Sequence, residues 1–155
     1  MQSSSKVQDG SGRITIVETD DRGEPEFVAL TAQADFSKQP NYVELVSFPL
    51  NRGDNPGKGS ARLGLLMFSA NVNPGVAALD YLLLDCIVYG YVGSAPTVIK
   101  RMAFGANAPD DFMRLDDSNN YDKIGIAGRQ IVNGRPDSTT TVGSLTLTVS
   151  GRISR

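Results

Sequence analysis

The stretch from Leu145 to Ile153 alternates without interruption. Leu145, Leu147, Val149, Gly151 and Ile153 occupy one set of positions, and Thr146, Thr148, Ser150 and Arg152 the other. Successive side chains of a β-strand point to opposite faces, so a period of two buries one set and turns the other outward. This is the cleanest such pattern in the chain. A strand with one apolar face needs a second layer to pack against, so the pattern fixes the kind of structure that the other segments must join.

Those segments read as further strands separated by turn formers. "RITIVET" at 13–19 alternates, with Ile14 and Ile16 on one face, and "DDRGEP" at 20–25 is a turn. "EFVALTAQADF" at 26–36 predicts a strand, and "SKQPN" breaks it. In "NYVELVSFPL" at 41–50, alternation sets Val43, Leu45 and Ser47 on one face and Tyr42, Glu44, Val46 and Phe48 on the other. "ARLGLLMFSANV" at 61–72 is another strand, ended by "NPG". The segment "VAALDYLLLDCIVYGYVG" at 76–93 is apolar enough for a buried helix. Its Ile, Val and Tyr residues and Gly90 favour a strand over 81–92 at least, central and covered on both faces, with room for a short helical turn at 76–80. "TVIKRMAFGA" at 97–106 returns as a strand. Residues 107–125 are polar and turn-rich and read as a long loop, and 126–138 as a short strand pair. The sum is seven or eight strands with little helix. The expected fold is therefore all-β, a jelly-roll-like sandwich or small barrel. Residues 1–12 read as a flexible N-terminal arm and 13–155 as a single β domain.

Composition removes several kinds of chemistry. The 155 residues contain no His, so the usual general base at neutral pH and the commonest metal ligand are missing. A single Cys excludes an intrachain disulfide framework and a cysteine-based zinc site. Fifteen Lys and Arg against 17 Asp and Glu, net -2, give no support for a nucleic-acid-binding face. The first residues, "MQSSSKVQDGSG", have no apolar core of the kind a secretion signal needs. No segment approaches the unbroken apolar length of a transmembrane helix.

"NRGDNPGKGS", residues 51–60, contains two familiar strings. Gly53 to Lys58 suggests a phosphate-binding loop but fails on spacing. Three residues separate Gly53 from Gly57, where a Walker loop has four, and Gly59 stands where a Ser or Thr would hold magnesium. Arg52-Gly53-Asp54 resembles the adhesion tripeptide that integrins bind, and it needs only an exposed loop tip. A Gly-rich hairpin loop between the strands at 41–50 and 61–72 is the simpler reading of the segment.

The other candidates are sparser. Asp116, Ser118, Asn120 and Asp122 place oxygens at alternate positions, as a calcium loop does. Tyr121 and Ala127 stand where an EF-hand requires Gly and Glu, and a solvated turn is the simpler reading. Asp80 and Asp85 lie in an apolar stretch and are a possible acid–base pair. Five residues apart on a strand they face opposite ways, and each is then expected to end the strand or meet a backbone or Arg partner. Asp110-Asp111 and Asp20-Asp21 look like turn and cap residues. Cys86 has no His to activate it and reads as a small core residue. Tyr89 and Tyr91 share one face of one strand, which suits stacking, an interface or core packing.

The closing "VGSLTLTVSGRIS" resembles the last strand of viral jelly-roll coat domains, in which a Gly precedes an alternating strand. The Ser-rich "MQSSSKVQDGSG" is similar to the arms of virion proteins. The arm is not Arg-rich, as one neutralising packaged nucleic acid would be, and the chain is short for such a domain. Both departures point toward an outer decoration or cement subunit. The resemblance implies a non-enzymatic virion structural protein, a capsid-decoration or coat subunit of a phage or other virus. It would be assembled in the host cytoplasm and would associate with itself and with capsid neighbours, without a cofactor and without direct contact with nucleic acid or membrane. Arg52, Gly53, Asp54, Tyr89, Tyr91, Thr146 and Thr148 are its candidate interaction residues. A carbohydrate- or cell-surface-binding β module built on Tyr89, Tyr91 or the Arg52-Gly53-Asp54 loop is the first alternative. A carboxylate-dependent hydrolase built on Asp80 or Asp85 is the second.

Overall fold

The computed structural model describes residues 12–18, 27–50, 63–75, 81–116 and 121–154. Ten strands lie among them: β1 (Gly12–Glu18), β2 (Phe27–Asp35), β3 (Val43–Pro49), β4 (Leu63–Asn73), β5 (Leu82–Val92), β6 (Ala95–Phe104), β7 (Asp110–Asp116), β8 (Lys123–Val132), β9 (Arg135–Pro136) and β10 (Ser144–Ser154). They form two sheets, in the orders β1-β2-β10-β4-β7 and β3-β8-β5-β6, with β9 a short addition to β8. All pairings are antiparallel.

Four nested pairs explain these orders. β2 pairs with β10, β3 with β8, β4 with β7 and β5 with β6. The chain is therefore one long antiparallel ribbon, doubled back at the β5–β6 turn and rolled so that successive pairs fall in alternate sheets. Without the edge strand β1 and the two-residue β9, eight strands remain, four to a sheet. That is a jelly roll, as the alternation and turn spacing lead one to expect.

The core lies between the sheets. Leu145, Leu147 and Val149 of β10 face it, with Leu66 and Phe68 of β4, Leu84 and Val88 of β5, and Ile124 and Ile126 of β8. Four phenylalanines, Phe36, Phe48, Phe68 and Phe104, are its largest fully buried side chains. Asn133 (φ 50°) and Gly134 (φ 81°) form the turn between β8 and β9; two successive left-handed residues suit a tight hairpin, and Asn-Gly supplies them.

Four expectations need correction. Residues 107–125 are not one loop, because β7 runs through them. Its inward Met113 and Leu115 alternate with exposed Asp110, Phe112 and Arg114, and the acidic flanks hide this short pattern. Asp110 and Asp111 accordingly begin a strand and are not turn residues. The alternation through 43–48 is also interrupted. A bulge between Glu44 and Val46 shifts the register, so Glu44 is exposed while Val46 and Phe48 are buried. Finally, β5 is central, but among the described residues no second layer of strands lies over its outer face. Leu82, Leu84, Cys86 and Val88 are buried on the inner face; on the outer face Ile87 is buried as well, while Leu83, Asp85, Tyr89 and Tyr91 are half-buried. The two sheets of the sandwich cover each other's inner faces, and among the described residues the cover on the outer face comes from side chains of its own strands.

Candidate interaction surfaces

The two sheets treat their outer faces differently. On the β3-β8-β5-β6 sheet, long polar side chains lie across small residues. The Tyr91 hydroxyl donates to Glu44 Oε1 at 2.6 Å, and the Lys123 ammonium stands 4.1 Å from the centre of the Tyr91 ring. Gly125 lies beneath. A Cβ there would sit 1.9 Å from Glu44 Oε1 and 2.9 Å from the Tyr91 ring, so the absence of a side chain lets Glu44 and Tyr91 meet over the strand. The hydrogen bond to Glu44, together with burial and the carboxylate charge, pushes the Tyr91 hydroxyl up to about 12.

A second cluster lies further along the same face. Asp85 Oδ2 accepts from the Tyr42 hydroxyl at 2.5 Å and from Arg129 Nε at 2.9 Å, and the Arg129 guanidinium lies 4.3 Å from the centre of the Tyr42 ring. Burial, then the hydrogen bond to Asp85 and its charge, raise the Tyr42 hydroxyl above its ordinary value. Asp85 thus has the Arg partner expected for it. The pair with Asp80 lies outside the described residues. Cys86 is fully buried in the core, and burial, followed by the charge of Asp85, pushes its thiol up, away from the thiolate that nucleophilic chemistry needs.

The other expected site residues are scattered. Arg52, Gly53 and Asp54 lie outside the described residues, as do Asp20, Asp21, Ser118 and Asn120. Asp122 is buried and accepts from the Gly93 backbone N–H at 2.7 Å, joining the start of β8 to the β5–β6 turn. Among the described residues, no three of His, Cys, Asp and Glu gather where a metal ion could be held. Tyr89 and Tyr91 are neighbours as expected, with ring centres 6.3 Å apart and planes tilted by 53°.

Thr146 and Thr148 are half-buried on the outer face of the β1-β2-β10-β4-β7 sheet, beside a feature that sequence reading passed over. Leu65 and Met67 of β4 and Phe112 of β7 are exposed by 42%, 46% and 56%. Phe112 stands opposite Met67, and Met67 opposite Ser150, so the apolar groups form a contiguous patch. The signal was in "LGLLMFSANV". Gly64, Leu66, Phe68, Ala70 and Val72 are the inward set, and that leaves Leu65 and Met67 as apolar residues on the outward one.

No protein-family model matches the sequence, and no curated protein matches it. Among solved structures, the chain is similar to one titled "Structure of infectious bursal disease virus Gx strain", with 18% identity and a TM-score of 0.32. The match covers 94% of this chain and 32% of the other, so the chain spans about a third of that protein's length. At that identity and TM-score the likeness assigns neither a family nor a function.

Proposed function

We propose that this protein is a non-enzymatic structural subunit of a virus particle, a decoration or coat subunit that works by associating with itself and with capsid neighbours. The observation that carries the reading is the exposed patch of Leu65, Met67 and Phe112 on a sheet face whose other residues are mostly polar or charged. Contiguous apolar side chains on an outer surface are characteristic of contact surfaces. The jelly roll supports it as an analogy of architecture, since capsid domains use this fold and so do lectins. The role needs no cofactor and no direct contact with nucleic acid or membrane, and it places the protein in the virion after assembly in the host cytoplasm.

One observation favours a second reading, a carbohydrate- or cell-surface-binding module. Tyr89 and Tyr91 present adjacent rings beside the polar groups of Glu44 and Lys123. Against it, the Tyr91 hydroxyl is already engaged and Lys123 covers part of its ring. The carboxylate hydrolase has less support, because Asp85 is held by Tyr42 and Arg129.

Gradient sedimentation of material from the source, with the protein followed by immunoblot, tests the proposal. A structural subunit travels with particles and stays with them through repeated banding. Recovery only in the soluble fraction, with retention on a glycan array, would replace the first reading by the second.

A further inference from the structure

The outer face of the β1-β2-β10-β4-β7 sheet is ordered by charge as well as by apolarity. Register rows run across the strands. One row holds Phe112, Met67, Ser150 and Thr31. The row on one side begins with Arg114 and Leu65, and continues through Arg152. On the other side lie Asp110, Ser69, Thr148 and Gln33. At β7 the apolar patch therefore sits between Arg114 on one side and Asp110 on the other. Neither Arg114 nor Asp110 forms an ion pair with another described residue.

We infer that this face is covered by the same face of a second copy, related by a two-fold axis that lies across the strands at the Phe112–Met67 row. The inference rests on the self-association in the proposed function and names the surface and the partner. An axis in that direction reverses the strand direction in the facing sheet. Phe112 then meets its symmetry mate, Met67 meets its own, and Arg114 of each copy faces Asp110 of the other, giving two equivalent ion pairs about the apolar centre. Charge decides the direction of the axis. An axis along the strands would instead bring Arg114 beside its own mate and Asp110 beside its own, like charges together. Thr148 also enters the contact, so one of the expected interaction residues has a place there.

Magnitude sets the class of interface. Four strands about 4.8 Å apart and some five residues of ~3.4 Å give a footprint of roughly 300 Å² per copy, well below the ~800 Å² per partner of a standard stable complex. The dimer is a weak contact that becomes effective where copies are held close together, as on a shell.

Sedimentation equilibrium of the full chain, over a roughly thousandfold concentration range reaching about 1 mM, tests this. The wild type is expected to dimerise reversibly in the upper part of the range. Phe112→Ser, Arg114→Asp and Asp110→Arg should each weaken the dimer about tenfold or more without changing the melting curve, since all three positions are exposed. The double variant Arg114→Asp with Asp110→Arg should regain dimerisation, because each pair is restored with its signs exchanged. A wild type that stays monomeric throughout overturns the inference, as does a double variant no tighter than the single ones. Cosedimentation with purified particles separates this from the proposed function. Particle binding that depends on Phe112, by a protein that stays monomeric alone, means that a different neighbour covers the face. A dimer that satisfies the charge swap but never binds particles sinks the virion reading and leaves the interface standing.

Discussion

Lys100 and Asp111 point inward from opposite sheets and meet at 3.5 Å. Lys100 stands in register with buried Val88, and Asp111 with buried Phe68, so both side chains take core-facing positions at the open side of the sandwich. β6 and β7 are edge strands there. Inward-pointing charge at an edge makes pairing with another chain unfavourable.

Asp111→Asn should therefore change solubility more than stability. The pair is about one-third exposed, so its loss should cost under ~1 kcal/mol. Aggregation during partial unfolding should rise, since an unpaired Lys still protects β6 while β7 loses its inward-pointing charge. Denaturant melts combined with light scattering check both parts. A loss of several kcal/mol with unchanged scattering would make the pair a stabilising one instead.

Leu147 and Thr148 separate the two faces of β10. Leu147 is fully buried, so Leu147→Ala should cost about 2–5 kcal/mol. Thr148→Ala should leave the monomer's melt nearly unchanged and weaken self-association. Melting and sedimentation of both variants measure this, and a severe Thr148→Ala in the monomer would contradict the face assignment.

Gln130 is a wholly buried amide whose two ends hold two loops. Its Oε1 accepts from the Lys38 N–H at 3.1 Å, and its Nε2 donates to the Asp137 carbonyl at 2.7 Å. Gln130→Ala leaves those groups unpaired and should cost about 1–3 kcal/mol. Hydrogen exchange at the Lys38 amide should quicken in step. An unprotected Lys38 amide in the wild type would show that the bond contributes nothing.

Tyr91 gives a pH signature. Its folded value, about 12, lies above the ordinary 10.0, so the stability linked to it is intact below about pH 10 and is lost as pH rises through about 12. Gly125→Ala pushes Glu44 and Tyr91 apart and should return the Tyr91 titration toward 10.0 with the fold preserved, because the crowded groups are side-chain ends that can move. Ultraviolet titration of the tyrosinates follows the change; an unshifted curve would mean that the Glu44 contact is not the cause.

Much of the architecture was legible because it depends on period two. Leu145, Leu147 and Val149 are buried in the set where alternation places them. The pattern failed where the chain breaks its own period. The bulge at Leu45 reverses the faces of β3, and a bulge is a pairing event that needs the partner strand, β8. β7 was hidden because only Met113 and Leu115 mark its inner face between acidic residues. Candidate surfaces were harder still. Tyr89 and Tyr91 are local neighbours, so their pairing could be read directly. The Phe112–Met67 contact joins strands distant in sequence and required the register. Glu44 and Gln130 looked like ordinary polar residues, since their roles depend on what folds against them.

The position of β10 has a consequence for how the chain is made. β10 lies between β2 and β4 and is the strand that joins β1-β2 to β4-β7 in one sheet. It also leaves the ribosome after every other described strand. Until it arrives, the strands of that sheet can pair only as β1-β2 and β4-β7, each with an unsatisfied edge beside the gap. Closure of the sheet must therefore wait for synthesis of β10. A nascent chain stalled before Ser144 would present β2 and β4 together as open templates, the state in which a chaperone has most to protect.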